Sequence, residues 1–175
     1  MRTIATIAAT ALAAALVLGA CTAQTGAAAV VDGEPISTAT LDRTTRELNE
    51  LFTVDSRGVL TMLIISPAYL DAAAEHGVAK SRDEARSYLD EVQAADPASE
   101  VDVAAFSDAT LDIVRFDMAV RELSQLPTAQ EIGAQVQERI GGLDVDVNPR
   151  FGDFSAEASS ISPASHEWLV QPATA

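Results

Sequence analysis

Residues 141–148 read Gly141-Gly142-Leu143-Asp144-Val145-Asp146-Val147-Asn148, and here the hydrophobic period of the chain switches from helical to two. Leu143, Val145 and Val147 alternate with polar residues, the pattern of a strand with one face on a core. A lone strand is not stable in water, so this one needs a partner. The matching candidate lies at the other end of the chain. Val30-Val31 precedes Asp32-Gly33, a strong tight-turn dipeptide, and Glu34-Pro35-Ile36 follows. Pairing Val30-Val31 with the 143–148 strand closes one domain over residues 30–154.

Five helices are expected between these ends. Ser37 or Thr38 caps the first, with Leu41, Leu48, Leu51 and Phe52 at helical spacing and Thr44 and Thr45 filling the gap. Asp55 or Ser56 starts a second that runs to about His76 and is apolar nearly all round in its first half. Pro67 should kink it, because proline lacks an amide donor and crowds the preceding turn. Gly77 stops it, with Val78 placed as the hydrophobic contact of a Schellman cap. Ser81-Arg82-Asp83-Glu84 is a capping box that opens the third helix, whose inner face carries Ala85, Tyr88, Leu89 and Val92. Ser107 caps a fourth over about 108–126, and Thr128-Ala129-Gln130-Glu131 is a second capping box that opens a fifth. The fold class is therefore mostly α, with about five helices and a small two-stranded sheet pairing the N- and C-terminal segments.

The ends carry different signals. Arg2 is the only charge before an apolar run, Ile4–Leu18, that is too short for a comfortable span and has the shape of a secretory signal. Leu18-Gly19-Ala20-Cys21 resembles a bacterial lipobox, Leu-x-small-Cys, and Cys21 is the only cysteine. That resemblance makes residues 1–20 a lipoprotein signal peptide and Cys21 the lipid attachment site, carrying diacylglyceryl and palmitate-type acyl chains. Several such chains hold a protein firmly on a bilayer. Residues 21–29 lack hydrophobic periodicity and read as a lipid-anchored flexible tether. Residues 155–175, rich in Ser, Ala and Pro, read as a largely disordered tail with a possible anchor at Trp168 and Leu169.

The net charge of −15 sets the surface against nucleic acid and anionic lipid head groups. Asp144-Val145-Asp146-Val147-Asn148 opens like a calcium loop but lacks the required glycine and the bidentate glutamate, so the solvent face of a strand explains it better. His76 and His166 have no second ligand at metal spacing. There is no Gly-x-Ser-x-Gly elbow and no phosphate-binding glycine loop. No cofactor, metal or catalytic residue is expected.

Val30-Val31-Asp32-Gly33-Glu34-Pro35-Ile36-Ser37, His76-Gly77-Val78 with Ser81-x-x-Glu84-Ala85, and Val147-Asn148-Pro149-Arg150-Phe151-Gly152-Asp153-Phe154 together resemble the SurA and PrsA family of extracytoplasmic folding factors. The likeness is to their N-terminal chaperone domain and spans about residues 28–154. It implies an α-rich module whose terminal segments pack together, with Pro149 and Gly152 turning the chain and Phe151 and Phe154 covering the sheet. The family's parvulin domain usually precedes the closing strand. Here only Gly141-Gly142 links Ile140 to Leu143, so prolyl isomerase activity is not carried over. The function implied is that of a cell-membrane lipoprotein on the extracytoplasmic face of the bacterial envelope, a chaperone for unfolded or partly folded secreted polypeptides. A passive envelope scaffold or subunit for one fixed partner is the alternative. Met62, Ile65, Tyr69, Phe116 and Met118 are the candidate client-binding residues; they either pack in the core or line an exposed cradle in which methionine adapts to varied side chains. Oligomeric state and client identity stay open.

Overall fold

The computed structural model describes residues 26–95 and 101–163. Cys21, His166 and Trp168 lie outside the described residues, as does the 1–20 segment. Strand β1 (Ala27–Val31) turns through Asp32 (φ 50°) and Gly33 (φ 86°) into β2 (Glu34–Ser37). Two successive positive φ angles define a type I′ turn, which matches the twist of a hairpin. The alternating stretch forms β3 (Val145–Val147), antiparallel to β1, with Val30 opposite Asp146 and Val31 opposite Val145. The ladder runs on at both ends, where the Asp32 amide donates to the Asp144 carbonyl (2.8 Å) and the Asn148 amide to that of Ala28 (2.9 Å). The terminal segments therefore pair as expected, within a sheet of order β2-β1-β3.

The tether assignment for residues 21–29 fails over its last three. Ala27, Ala28 and Ala29 are strand residues, and Ala28 and Ala29 sit wholly inside the core. A central strand buried on both faces needs no alternation, and its alanines let helices approach closely. The same lack of periodicity and large side chains imitates a linker.

The helices are α1 (Thr38–Asn49), α2 (Ser56–Glu75), α3 (Arg82–Ala94), α4 (Asp108–Ser124) and α5 (Ala129–Gly141), with one 3₁₀ turn at Val103–Ala105. Ser37, Asp55, Ser81 and Ser107 each cap a helix through a side-chain oxygen. Ser81 and Glu84 close the reciprocal box. Thr128 makes no such bond, so the second expected capping box does not form. At the end of α2 the amide of Val78 donates to the Ala73 carbonyl (2.9 Å) and that of Gly77 to Ala74 (3.2 Å), with Gly77 at φ 70°. This is the Schellman pattern. α2 continues through Pro67, which lies on its exposed side, where a carbonyl without a partner can turn to water.

α2 is the axis of the module, packed by α1, α4, α5 and the strands, which accounts for its nearly all-round apolar sequence. Two apolar clusters result. The larger joins Leu41 and Leu48 of α1, Leu60 and Ile64 of α2, Ile132, Val136 and Ile140 of α5, and the sheet. The smaller joins Ala85 and Leu89 of α3 to Val103, Phe106, Leu111 and Val114. α4 belongs to both, through Ile113, Ala119 and Leu123 on one side and Leu111 and Val114 on the other.

The tail assignment for residues 155–175 is also corrected, over its described part, 155–163. Asp153–Ser155 (β4) and Ser160–Ser162 (β5) form a second hairpin, and Ile161 is buried at 6% exposure against the larger cluster. Phe151 and Phe154, the latter in β4 itself, pack on that cluster beside it. Gln137 of α5 donates to the Ala156 carbonyl (2.7 Å), and Arg57 of α2 to that of Phe151 (3.0 Å), so the hairpin is strapped to two helices. The elements described thus extend beyond the expected 30–154 domain on both sides, from β1 at Ala27 to β5 at Ser162.

Candidate functional site

The two clusters share α4 but leave an opening between the α1–α2 corner and α3. This groove of about 240 Å³ is lined by Leu48, Phe52, Val54, Met62, Tyr88, Ile113 and Val114, with Asp117 and Arg121 at its rim. Phe52 is the most exposed large apolar side chain described, at 38%. It is held there by its surroundings. Its amide closes on the Leu48 carbonyl at 2.8 Å. The side chain of Asn49 spans the corner, donating to the carbonyls of Thr45 (2.8 Å) and Val54 (2.9 Å) and accepting from the Val54 amide (3.1 Å). On the opposite wall Arg121 pairs with Asp117 at 2.7 Å and lies 5.7 Å from the Tyr88 ring centroid. The rim charges neutralise each other, so the groove floor selects for apolar contact and shape.

A half-buried carboxylate fixes the distance between the walls. Glu47, on the last turn of α1, accepts from the Ser107 amide (2.9 Å), the Ser107 hydroxyl (2.6 Å), the Thr110 hydroxyl and Arg43 Nε (2.6 Å). Burial alone would raise its pKa; the hydrogen bonds from Ser107, Thr110 and Arg43 outweigh that and hold it at about 2. Glu47 thereby does for the N-terminus of α4 what the N3 glutamate does in a local capping box. On the outer side of α3, Arg82 forms a two-pronged pair with Asp112 (2.7 and 3.0 Å) and reaches Asp108 (2.9 Å), while Arg115 binds the same Asp112 at 2.7 Å. Burial pushes the Asp112 carboxyl up, but the two guanidiniums hold it below its ordinary range.

The structure does not gather the five candidate client-binding residues into one surface. Met62 is a groove wall. Ile65 is buried in the larger cluster, which assigns it to packing. Tyr69 and Phe116 meet edge to face, centroids 5.0 Å apart, and pack on the larger cluster away from the groove lining. Met118 sits by the smaller cluster, in a shallow recess with Tyr88 and the acidic residues Asp83, Glu84 and Glu91. The sequence reading missed the groove role of Phe52, Val54 and Tyr88. Helical spacing placed Phe52 on the first helix, but α1 ends at Asn49 and leaves its apolar side chain beyond the last turn. Among the described residues, no group of three or more His, Cys, Asp or Glu is placed to hold a metal ion. Neither a protein-family model, nor a curated protein, nor a solved structure matches this chain.

Proposed function

We propose that the protein is a membrane-anchored, extracytoplasmic chaperone-like lipoprotein that holds apolar segments of unfolded secreted polypeptides in the groove between the α1–α2 corner and α3. The observation that carries this reading is the preformed groove itself. It combines two aromatic side chains, the exposed Phe52 and Tyr88, with an adaptable methionine and aliphatic walls. Met62 is the candidate residue retained; Met118 flanks the site, and Ile65, Tyr69 and Phe116 serve packing. Two features of the sequence support the setting. The Leu18-Gly19-Ala20-Cys21 stretch would fix the module at the outer membrane face, where exported chains emerge unfolded. A net charge of −15 disfavours nucleic acid and leaves apolar or basic polypeptide as the compatible partner. The likeness to the SurA and PrsA chaperone domain points the same way, with holding rather than isomerase catalysis as the activity.

The test uses the lipidated full chain in vesicles and several unrelated polypeptides that are reduced, carboxymethylated and labelled with fluorescein. Binding of several such chains, but not of their native forms, supports the proposal, with at least tenfold weaker binding by Met62→Glu. Binding of none of them, or of a single native envelope protein only, overturns it and favours a fixed scaffold. In the same preparations Cys21→Ala should leave the membrane fraction or accumulate as precursor.

A further inference from the structure

We infer that the groove is one half of a two-part site for an extended polypeptide segment in which lysine or arginine follows an apolar residue two positions on. The inference rests on the groove being the client site and names the class of segment held there. Tyr88 is the observation that carries it. Its side chain lines the groove together with Phe52 and Met62. It also lines a second, shallow recess of about 390 Å³, formed with Asp83, Glu84, Ser87, Glu91 and Met118. A chain that crosses the Tyr88 ring therefore passes from an apolar surface to an acidic one. α3 builds the recess from one stripe: Glu84, Ser87, Tyr88 and Glu91 stand at helical spacing and share a face. At about 1.5 Å of rise per residue, Tyr88 lies about 6 Å from Glu84 and about 4.5 Å from Glu91 along the axis. An extended segment advances about 6.5 Å between side chains on the same side. With an apolar residue seated against Tyr88, the next side chain on that side reaches a carboxylate.

Charge sets the identity of that second residue. Three carboxylates line the recess and, among the described residues, no basic side chain does. Asp83 is partnered by Arg86 at 2.9 Å. Glu84 is engaged by the Ser81 amide and hydroxyl at 2.8 and 2.9 Å, and Lys80 comes only to 3.8 Å. Glu91 is exposed and forms no ion pair among the described residues, so a carboxylate one turn from Tyr88 stays open to an incoming cation. The groove rim differs, because there Asp117 and Arg121 cancel each other at 2.7 Å. Tyr88 and Met118 give the carbon stem of a lysine or arginine an apolar surface to lie on, while its charged head meets the carboxylates. The Tyr88 ring already takes the Arg121 guanidinium at 5.7 Å, a contact of the same chemistry. A net charge of −15 turns away a second copy of the chain and leaves a basic unfolded segment as the complementary occupant.

The test uses the lipidated full chain in zwitterionic vesicles and three fluorescein-labelled peptides. Each carries the run Leu-Trp-Leu in a serine and glycine background, and they differ only in the next residue, which is Lys, Ser or Glu. The Lys peptide should bind at least about threefold more tightly than the Ser peptide, and the Glu peptide most weakly. Glu91→Lys should abolish the difference between the Lys and Ser peptides. Glu138→Lys, the same change of charge on α5, should leave that difference in place and so separates the recess from the general field of an acidic protein. Phe52→Ala, a mild change at an exposed position, should weaken all three peptides. Far-UV melts confirm that each variant is folded. Equal binding of the three peptides overturns the proposal, as does a preference that Glu91→Lys preserves or that Glu138→Lys also removes. So does binding that Phe52→Ala leaves unchanged. If the labelled unfolded polypeptides bind while no peptide does, this proposal falls and the groove reading stands. If neither binds, the groove reading falls as well.

Discussion

The carboxylate of Glu47 takes both the backbone amide and the hydroxyl of Ser107, at 2.9 and 2.6 Å, across sixty positions of sequence. One residue of α1 thus caps α4 and sets the spacing of the two groove walls. Glutamine in its place keeps one oxygen for the Ser107 and Thr110 donors, but the charge is gone and an NH₂ donor faces Arg43 Nε where a carboxylate oxygen accepted. Glu47→Gln should cost about 1.5–3 kcal/mol, the range for hydrogen bonds to a charged group. A folded-state pKa of about 2 against an ordinary 4.5 means that the stabilisation is complete above pH 4.5 and fades as pH falls toward 2. The wild type should therefore lose stability over that window by more than Glu47→Gln does. Urea unfolding at pH 7, 4.5 and 2.5 checks this; parallel pH dependences would remove Glu47 from the account.

Ala28 separates the buried strand from a tether. It is fully enclosed between the sheet and the helices, so Ala28→Leu must push neighbours aside, at about 1–3 kcal/mol. For a domain of this size that lowers Tm by several degrees, since 1 kcal/mol corresponds to about 2–4 °C. A flexible linker would accept leucine without any shift in the melt.

These two residues also show where the sequence was readable. Features with local causes were legible: the Asp32-Gly33 turn, the Ser81–Glu84 box, the Gly77 stop and the two-residue period at 143–148 each leave a mark within a few positions. The pairing of β1 with β3 followed because an isolated strand needs a partner and few candidates existed. Features created by tertiary packing were not legible. Ala27–Ala29 look like linker because burial on both faces erases alternation. Ser160–Ser162 looks like tail because one isoleucine among serines carries its anchoring. The groove was read only at Met62 for a related reason. Helical periodicity marks a face as apolar but cannot say whether another helix covers it, and Ile65 and Met62 carry the same mark.

Thr44 predicts a gain. Its side chain is fully buried on the inner face of α1, and its hydroxyl has no hydrogen-bond partner. Valine has nearly the same shape and no polar atom to desolvate, and its helix propensity is close to that of threonine. Leaving a buried donor unsatisfied costs about 1–3 kcal/mol. Thr44→Val should therefore raise stability by about 1 kcal/mol or more, read as a higher Tm with the groove unaffected. A lower Tm would show that the hydroxyl has a partner, such as an enclosed water.

Gly152 tests whether the second hairpin belongs to the fold. Its φ of 119° disfavours any side chain, and a Cβ would strike the Ser162 carbonyl, a backbone atom that cannot rotate away. Gly152→Ala must therefore separate β4 from β5 and lift Ile161 out of the larger cluster. Ile161→Ala alone should cost about 2–5 kcal/mol by leaving a cavity beside α2. If both substitutions act by undocking the hairpin, the double variant should lose less than the sum of the single losses, because the second removes contacts that the first has already broken. Additive losses would mean that each damages a separate part of the structure. A stable Gly152→Ala protein with an unchanged melt would show that β4 and β5 do not hold the close register seen here.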